Sequence, residues 1–316
     1  MTLRIGSRGS KLALWQAEWV KAELAKRGHA AEIVIIKTTG DKILDVPLAR
    51  IGGKGVFTKE IEEALLAGSI DLAVHSLKDL PTTLPDGLTI AAMPQREDPR
   101  DALVGGTIDT LPKGARVGTG SLRRAAQLRA LRPDVEVLDV RGNVDTRLRK
   151  LEEGQYDALV MASAGLTRLG LQQYIGEYLA PERFLPAVAQ GALAIETRLE
   201  GAGFDAAKTL HDAASASAVD AERSLLENLG GGCQVPLGAF AVAEGDALHL
   251  RAVVVSPDGL RRVYRESSAA AADAVQLGKT VAEALLASEA AEIMAQAALG
   301  HTPDDVGSSR GASASA

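Results

Sequence analysis

The sequence predicts a mixed α/β protein, with two similar α/β lobes in tandem and a small α+β unit towards the C-terminal end. At 316 residues the chain exceeds the size at which one hydrophobic core usually keeps growing, so two or three domains are expected. Strand-like and helix-like segments alternate up to about His75, and the same alternation resumes at Ala115. After Ala213 the order changes to a helix, a run of strands and a further helix, the signature of a separate small layer.

The elements follow in order. Leu3 to Gly6 reads as a strand, Lys11 to Arg27 as a helix stopped by Gly28, and the β-branched run Ala31 to Thr38 as the next strand. Thr58 to Leu66 fits a helix closed by Gly68, and Ile70 to His75 a strand. Met93 to Pro99, rich in proline and charge, reads as a crossover or hinge. The second block has strands at Ala115 to Gly118, Val135 to Val140 and Ala158 to Ala162, with helices at Ser121 to Leu131 and Val144 to Glu153. The third has strands at Gly238 to Val242, Leu248 to Val255 and Arg261 to Arg265, then an Ala-rich helix from Ala271 to Ala297. His301 to Ala316 is a Gly, Ser and Ala tail without apolar periodicity, the composition of a disordered segment.

Bulk composition narrows the function classes. A hydrophobic fraction of 46% and a charged fraction of 24% are those of an ordinary globular protein. No apolar run reaches membrane-spanning length and the N-terminus lacks the apolar stretch of a signal peptide, so a cytoplasmic location without membrane partners is expected. The net charge of -6 argues against general nucleic-acid binding. Yet residues 113 to 150 hold ten Lys and Arg against four Asp and Glu. Such a local excess is either a pair of solvated helix faces or a site for an anion.

Several cations sit where a strand ends and a helix begins. Arg8, Ser10 and Lys11 follow the first strand, Ser121, Arg123 and Arg124 open the helix after Gly118, and Arg141 and Arg147 flank Gly-Asn-Val-Asp-Thr. Arginine in a first helical turn is unfavourable by a few tenths of a kcal/mol, roughly, because that end already carries positive partial charge. A compensating anion is expected, bound at helix N-termini beyond the carboxyl ends of the strands, or else nearby carboxylates pair with the arginines. Arginine's planar fork suits carboxylate or phosphate, so the ligand is expected to be a polyanion. The strand entering Asp71-Leu-Ala-Val-His-Ser-Leu-Lys-Asp-Leu-Pro81 breaks at proline and presents His75, Lys78 and Asp79 near its end. Among cations, Asp79 stays ionised and can stabilise a cation in a reacting molecule, or it serves as an ion-pair partner. His75 fits a hydrogen-bonding role at a strand end.

Cys233 is the only cysteine, in the run Leu-Gly-Gly-Gly-Cys-Gln-Val-Pro-Leu-Gly. One thiol excludes an internal disulfide and a tetrathiolate metal site, and no metal ligands are assigned. The glycines leave little bulk around the sulfur, which suits a covalent attachment point. A preceding helix C-terminus does not lower a thiol pKa, so a repeatedly used thiolate nucleophile is disfavoured while a single alkylation is acceptable.

These residues together resemble the porphobilinogen deaminase family, whose members are also called hydroxymethylbilane synthases. The match runs from Arg4 to about Ala297. It is carried by seven strings in order: Gly-Gly-Lys-Gly-Val-Phe at 52–57, Ala-Val-His-Ser-Leu-Lys-Asp-Leu-Pro at 73–81, Arg-Glu-Asp-Pro-Arg-Asp-Ala at 96–102, Val-Gly-Thr-Gly-Ser-Leu-Arg-Arg at 117–124, Arg-Gly-Asn-Val-Asp-Thr-Arg-Leu at 141–148, Ala-Gly-Leu-Thr-Arg-Leu-Gly at 164–170 and Gly-Gly-Cys-Gln-Val-Pro at 231–236. The resemblance implies a dipyrromethane cofactor held through a thioether at Cys233, and stepwise addition of four porphobilinogen molecules, each losing ammonia, before hydrolytic release of the linear tetrapyrrole. Every pyrrole of that chain bears an acetate and a propionate.

By motif position the resemblance makes Asp79 and Arg8 catalytic. It gives Cys233, Asp79, Lys78, Ser121, Arg123, Arg124 and Arg147 to the cofactor, and Arg8, Ser10, Lys54, Arg141, Arg168 and Gln190 to substrate. It also implies two lobes like those of periplasmic binding proteins. Domain 1 is then 1–94 with 192–208, domain 2 is 99–187 and domain 3 is 212–300, with crossovers at 93–99 and near 186–190 as hinges. A monomer acting on a small molecule is implied. Three positions depart from the family pattern: Gly120 where Ser is common, Ala189 where Gly is usual, and Arg50 where some members have Lys. Two other classes of protein share some of these features. A two-lobed receptor for anionic solutes lacks the reason for Cys233, and an acyl-transfer enzyme needs a thiolate–base pair that this sequence does not display.

Overall fold

The structure, a computed structural model, describes residues 1–42, 58–230 and 235–299. Expectations for Lys54, Arg50, Cys233 and the tail from His301 lie outside the described residues. The first lobe contains β1 (Leu3–Ser7), α1 (Lys11–Lys26), β2 (Ala31–Ile35), α2 (Thr39–Lys42), α3 (Lys59–Leu66), β3 (Leu72–Ser76) and β4 (Leu88–Ala92). The chain then crosses into β5 (Asp101–Val104), β6 (Arg116–Gly118), α4 (Leu122–Leu131), β7 (Glu136–Leu138), α5 (Val144–Glu152), β8 (Ala158–Ala162), α6 (Ser163–Arg168) and β9 (Ile175–Leu179). It returns through β10 (Leu193–Arg198) and α7 (Ala202–Lys208), and ends in α8 (Ala213–Asn228), β11 (Leu237–Glu244), β12 (Ala247–Val255), β13 (Arg262–Ala270), α9 (Ala274–Leu286) and α10 (Ala290–Leu299).

Two five-stranded sheets repeat one plan. The first has the order β2-β1-β3-β10-β4 and the second β7-β6-β8-β5-β9. In each, three parallel strands are followed by an antiparallel one that reached the sheet by a crossover from the other lobe. The parallel strands β1, β3, β6 and β8 are buried on both faces, as crossover helices require. Around the first sheet, α1 and α7 cover one face with Ile5, Val20, Leu24 and Ile195, while α3 covers the other with Ile61, Leu65 and Ile70. Each of these large side chains contributes about 1.5–3 kcal/mol by leaving water. The second sheet has a core on each face in the same way, around Leu103 and Leu128 and around Leu159 and Leu166.

The small unit packs α8 and α9 on the antiparallel sheet β11-β12-β13. Its core is continuous with Leu77, Leu80, Met93, Val188 and Ala192, residues that border the exit of β3 and the two crossovers. Two expectations change here. The helix expected over Ala271 to Ala297 is broken: a 3₁₀ turn at Ala271–Asp273 precedes α9, and α9 and α10 are separate. Ser288 Oγ donates to the Leu285 carbonyl and accepts from the Ala290 N–H, ending one helix and starting the next. The strand expected to end at Arg265 continues to Ala270, because β12 pairs it residue by residue from Val255↔Arg262 to Ala247↔Ala270. No described helix is long and apolar enough to cross a membrane.

Candidate active site

In parallel α/β folds ligands gather beyond the carboxyl ends of the strands, here those of β1, β3, β6, β7 and β8. The two crossovers run side by side. Glu97 N–H donates to the Gly191 carbonyl at 3.2 Å and Gln190 Nε2 to the Pro99 carbonyl at 2.7 Å. A side chain at Gly191 would lie 2.4 Å from the Glu97 carbonyl, and its φ of +87° also requires glycine. Ala189 stands at φ +58°, the only non-glycine at positive φ among the described residues, which explains the usual glycine there. Its N–H donates to Glu222 Oε2 at 2.6 Å, an acceptor that fixes the turn.

Asp79 closes a 3₁₀ turn, Leu77–Asp79, directly after β3 and is exposed. The turn is tied to the second crossover by the Leu77 N–H on the Ala192 carbonyl at 3.0 Å. Beside it Lys78 keeps partial exposure overall, but its ammonium is enclosed. Burial pushes its pKa down to about 8, with Arg124 and Arg123 adding repulsion against the attraction of Asp79 and Asp101. From the second lobe, Arg147 faces Asp79. Burial and then the neighbouring Arg124 and Arg141 bring its pKa down to about 10, against the pull of Asp139 and Asp79. One carboxylate thus stands exposed among cations contributed by both lobes.

Ser10 and Ser121 are the N-caps of α1 and α4, accepting from the Ala13 and Arg124 N–H groups at 3.3 and 3.5 Å. Arg8 is half-buried just before Ser10. Arg168 is buried at the end of α6, where Nη2 donates to the Gly191 carbonyl at 2.7 Å and burial lowers its pKa to about 10. His75 pairs with the fully buried Glu196 at 2.9 Å, which fits the hydrogen-bonding role expected at a strand end.

The junction arginines were expected to face an external anion or else to pair with nearby carboxylates. Arg123 and Arg124 are 5% and 6% exposed and both grip Asp101, with Arg123 Nη1 also on the Leu185 carbonyl and Arg124 Nη2 on Gln190 Oε1. Gln190 Nε2 completes the group at 2.9 Å from Asp101 Oδ1. Burial alone would raise the Asp101 pKa, but the two guanidiniums hold it down at about 2. The carboxylate-pairing alternative therefore applies to these two, with a buried rather than a surface partner. Arg141 likewise has a partner, Asp139, at 3.0 Å. Asp101 escapes sequence reasoning because its arginine partners, over twenty residues away, are identified only once β5 is placed. The single sequence clue to Asp101 was its position in the string at 96–102.

Residues 3–205 match the family model described as porphobilinogen deaminase, dipyrromethane cofactor binding domain, and residues 216–287 match the porphobilinogen deaminase C-terminal domain. The chain belongs to the porphobilinogen deaminase family. A porphobilinogen deaminase of Geobacter sulfurreducens is 52% identical over 299 residues, covering 93% of this chain and 94% of the relative. One of Roseiflexus castenholzii is 54% identical over 294 residues, covering 90% and 96%. A periplasmic substrate-binding protein of an ABC transporter from Coxiella burnetii superposes on 68% of this chain and 94% of its own with TM-score 0.41 and 14% identity. The solute-receptor alternative is not favoured by relatives this similar over nearly the whole chain.

The porphobilinogen deaminase cofactor is an acidic dipyrrole, and the residues fit such a group. Lys78, Arg147 and Arg168 form no ion pair with a carboxylate among the described residues, and Arg123 Nε is buried without an acceptor among them. The burial that lowers the pKa values of the first three is offset by an anion brought alongside.

Proposed function

We propose that this chain is a hydroxymethylbilane synthase, which condenses four porphobilinogen molecules head to tail with loss of ammonia onto a dipyrromethane primer on Cys233 and then hydrolyses the linear tetrapyrrole free. The observation that carries the proposal is the exposed carboxylate of Asp79 at the end of β3, set among Lys78 and Arg147. When bound, the dipyrromethane supplies the pyrrole carbon to which the first substrate is joined. Asp79 holds the positive charge that develops on a pyrrole as ammonia leaves, and holds the pyrrole N–H groups in line for the next bond. A fixed charge of this kind is worth about 3–4 kcal/mol in the transition state. Arg8, at the carboxyl end of β1, assists the departure of ammonia.

Arg141, Arg147 and Arg168, with Ser10 and Lys54, bind the acetate and propionate groups. Arg123, Arg124 and Gln190, braced by Asp101, keep the start of α4 and Ser121 in place for the cofactor carboxylates. A rigid brace is favoured here because cations of one sign repel one another unless a carboxylate is fixed between them. The division into 1–94 with 192–208, 99–187 and 212–300 is supported by the sheet order and by the shared core around the crossovers. A cytoplasmic monomer agrees with this small-molecule reading.

Intact-mass measurement tests the whole. The purified protein is expected to carry a dipyrrole adduct that is missing in Cys233→Ser, and to gain mass in steps of one pyrrole after brief exposure to porphobilinogen. A protein with no adduct and no gain would refute the assignment.

A further inference from the structure

The wall that receives carboxylates contains one of its own. Asp139 follows β7 and accepts from Arg141 Nε through Oδ2 at 3.0 Å. Both partners reach solvent, the aspartate side chain being 56% exposed and the arginine 28%. Their position depends on Gly120 across the loop. A Cβ there would lie 2.9 Å from the Val140 carbonyl, 3.3 Å from Asp139 Oδ1 and 4.0 Å from Arg141 Cζ. The missing side chain lets this ion pair sit against the loop that ends in Ser121, the cap of α4. Asp139 also acts on Arg147, offsetting the repulsion of Arg124 and Arg141.

We infer that Asp139 is a resident competitor for Arg141, a carboxylate that holds the guanidinium in the free site and yields it to a substrate carboxylate. The inference rests on the reading of Arg141 as a substrate-binding residue. Exchange of one carboxylate for another on an exposed guanidinium keeps the charge and the hydrogen bond, so it proceeds with little change in solvation. The consequence is a weaker grip on each acidic pyrrole. Each added unit brings two carboxylates, and a cation wall with no internal partner would hold the finished tetrapyrrole tightly. Asp139 thereby tunes affinity and release together, as a positioning and specificity residue that does not touch the reacting atoms.

The test uses the cofactor-loaded enzyme and the variants Asp139→Asn, Asp139→Glu, Arg141→Gln and the double variant Asp139→Asn with Arg141→Gln. Asp139→Asn is expected to lower KM for porphobilinogen by about two- to five-fold, the range for an exposed pair. Intact-mass spectra after brief exposure to substrate are expected to shift towards the most heavily loaded species, and Asp139→Glu to restore the wild-type pattern. In the Arg141→Gln background the same change is expected to have a smaller effect, what remains acting through Arg147. An unchanged or raised KM for Asp139→Asn, with Arg141→Gln raising KM, would overturn the proposal alone. An unchanged KM for Arg141→Gln would overturn the reading of Arg141 and the proposal with it. Equal melting temperatures across the set establish that the effects arise at the site.

Discussion

Asp79 and Lys78 are neighbours in sequence, yet the fold exposes one and encloses the charge of the other. Replacing Asp79 by Asn keeps size and hydrogen bonding but removes the charge. Turnover is expected to fall about 10²–10³-fold, as for loss of one well-placed electrostatic group, with no change in melting temperature. Steady-state kinetics beside thermal unfolding would show it, and undiminished turnover would remove Asp79 from the chemistry. Lys78 gives a pH signature. Its folded pKa of about 8 lies below the ordinary 10.5, so the cation is lost as pH rises through that value. KM for porphobilinogen is therefore expected to climb in wild type above about pH 8, whereas Lys78→Arg, which keeps its charge, is expected to lack that limb. Both residues were legible in one string because their neighbours in sequence are their neighbours in space. Asp101 was not: its partners Arg123 and Arg124 lie more than twenty residues away, and only strand placement joins them.

At the scale of elements, α1, α3, α4, α5 and α8 and the parallel strands were legible because each carries its own periodicity and stop signals, whereas α2, α6 and α7, of four to seven residues, are too short to show one. The short strands β4, β5 and β9 were not. They have four or five residues each, and their places are decided by pairing with partners in the assembled sheets, including the irregular registers of β4 with β10 and of β9 with β5. The joint between α8 and the crossovers was also hidden. Glu222, fully buried on α8, accepts from Arg96 at 2.7 and 3.0 Å and from the N–H groups of Ala189 and Ala241 at 2.6 and 2.8 Å. These bonds tie one helix to both crossovers and to β11. Glu222→Ala strips all four donors of their acceptor and leaves a guanidinium buried, an expected loss of about 3–5 kcal/mol. Arg96→Ala leaves Glu222 with two backbone donors and is expected to cost less. Urea unfolding of both variants and their double would test the asymmetry; equal losses would contradict it.

The two lobes also meet through α1. Leu12 Cδ2 lies 3.7 Å from the place a Cβ would occupy on Gly165 of α6, and Lys11 Nζ lies 3.1 Å from Asp145 Oδ2 of α5. Lys11 stands in the first turn of α1, where the helix dipole disfavours it, so the aspartate supplies an opposing charge from the other lobe. If the lobes part by pivoting on the crossovers, this ion pair between them breaks. Being exposed on both sides, it shifts an open–closed equilibrium by less than about five-fold. Lys11→Glu is expected to raise hydrogen exchange at 93–99 and 186–192 at low ionic strength, with the difference shrinking as salt screens the charges. Exchanging the charges, as Lys11→Asp with Asp145→Lys, is expected to restore the wild-type protection. Equal exchange in Lys11→Glu and wild type would mean that apolar contact between α1 and α6 alone holds the lobes. The ion pair would then be incidental to any parting of the lobes.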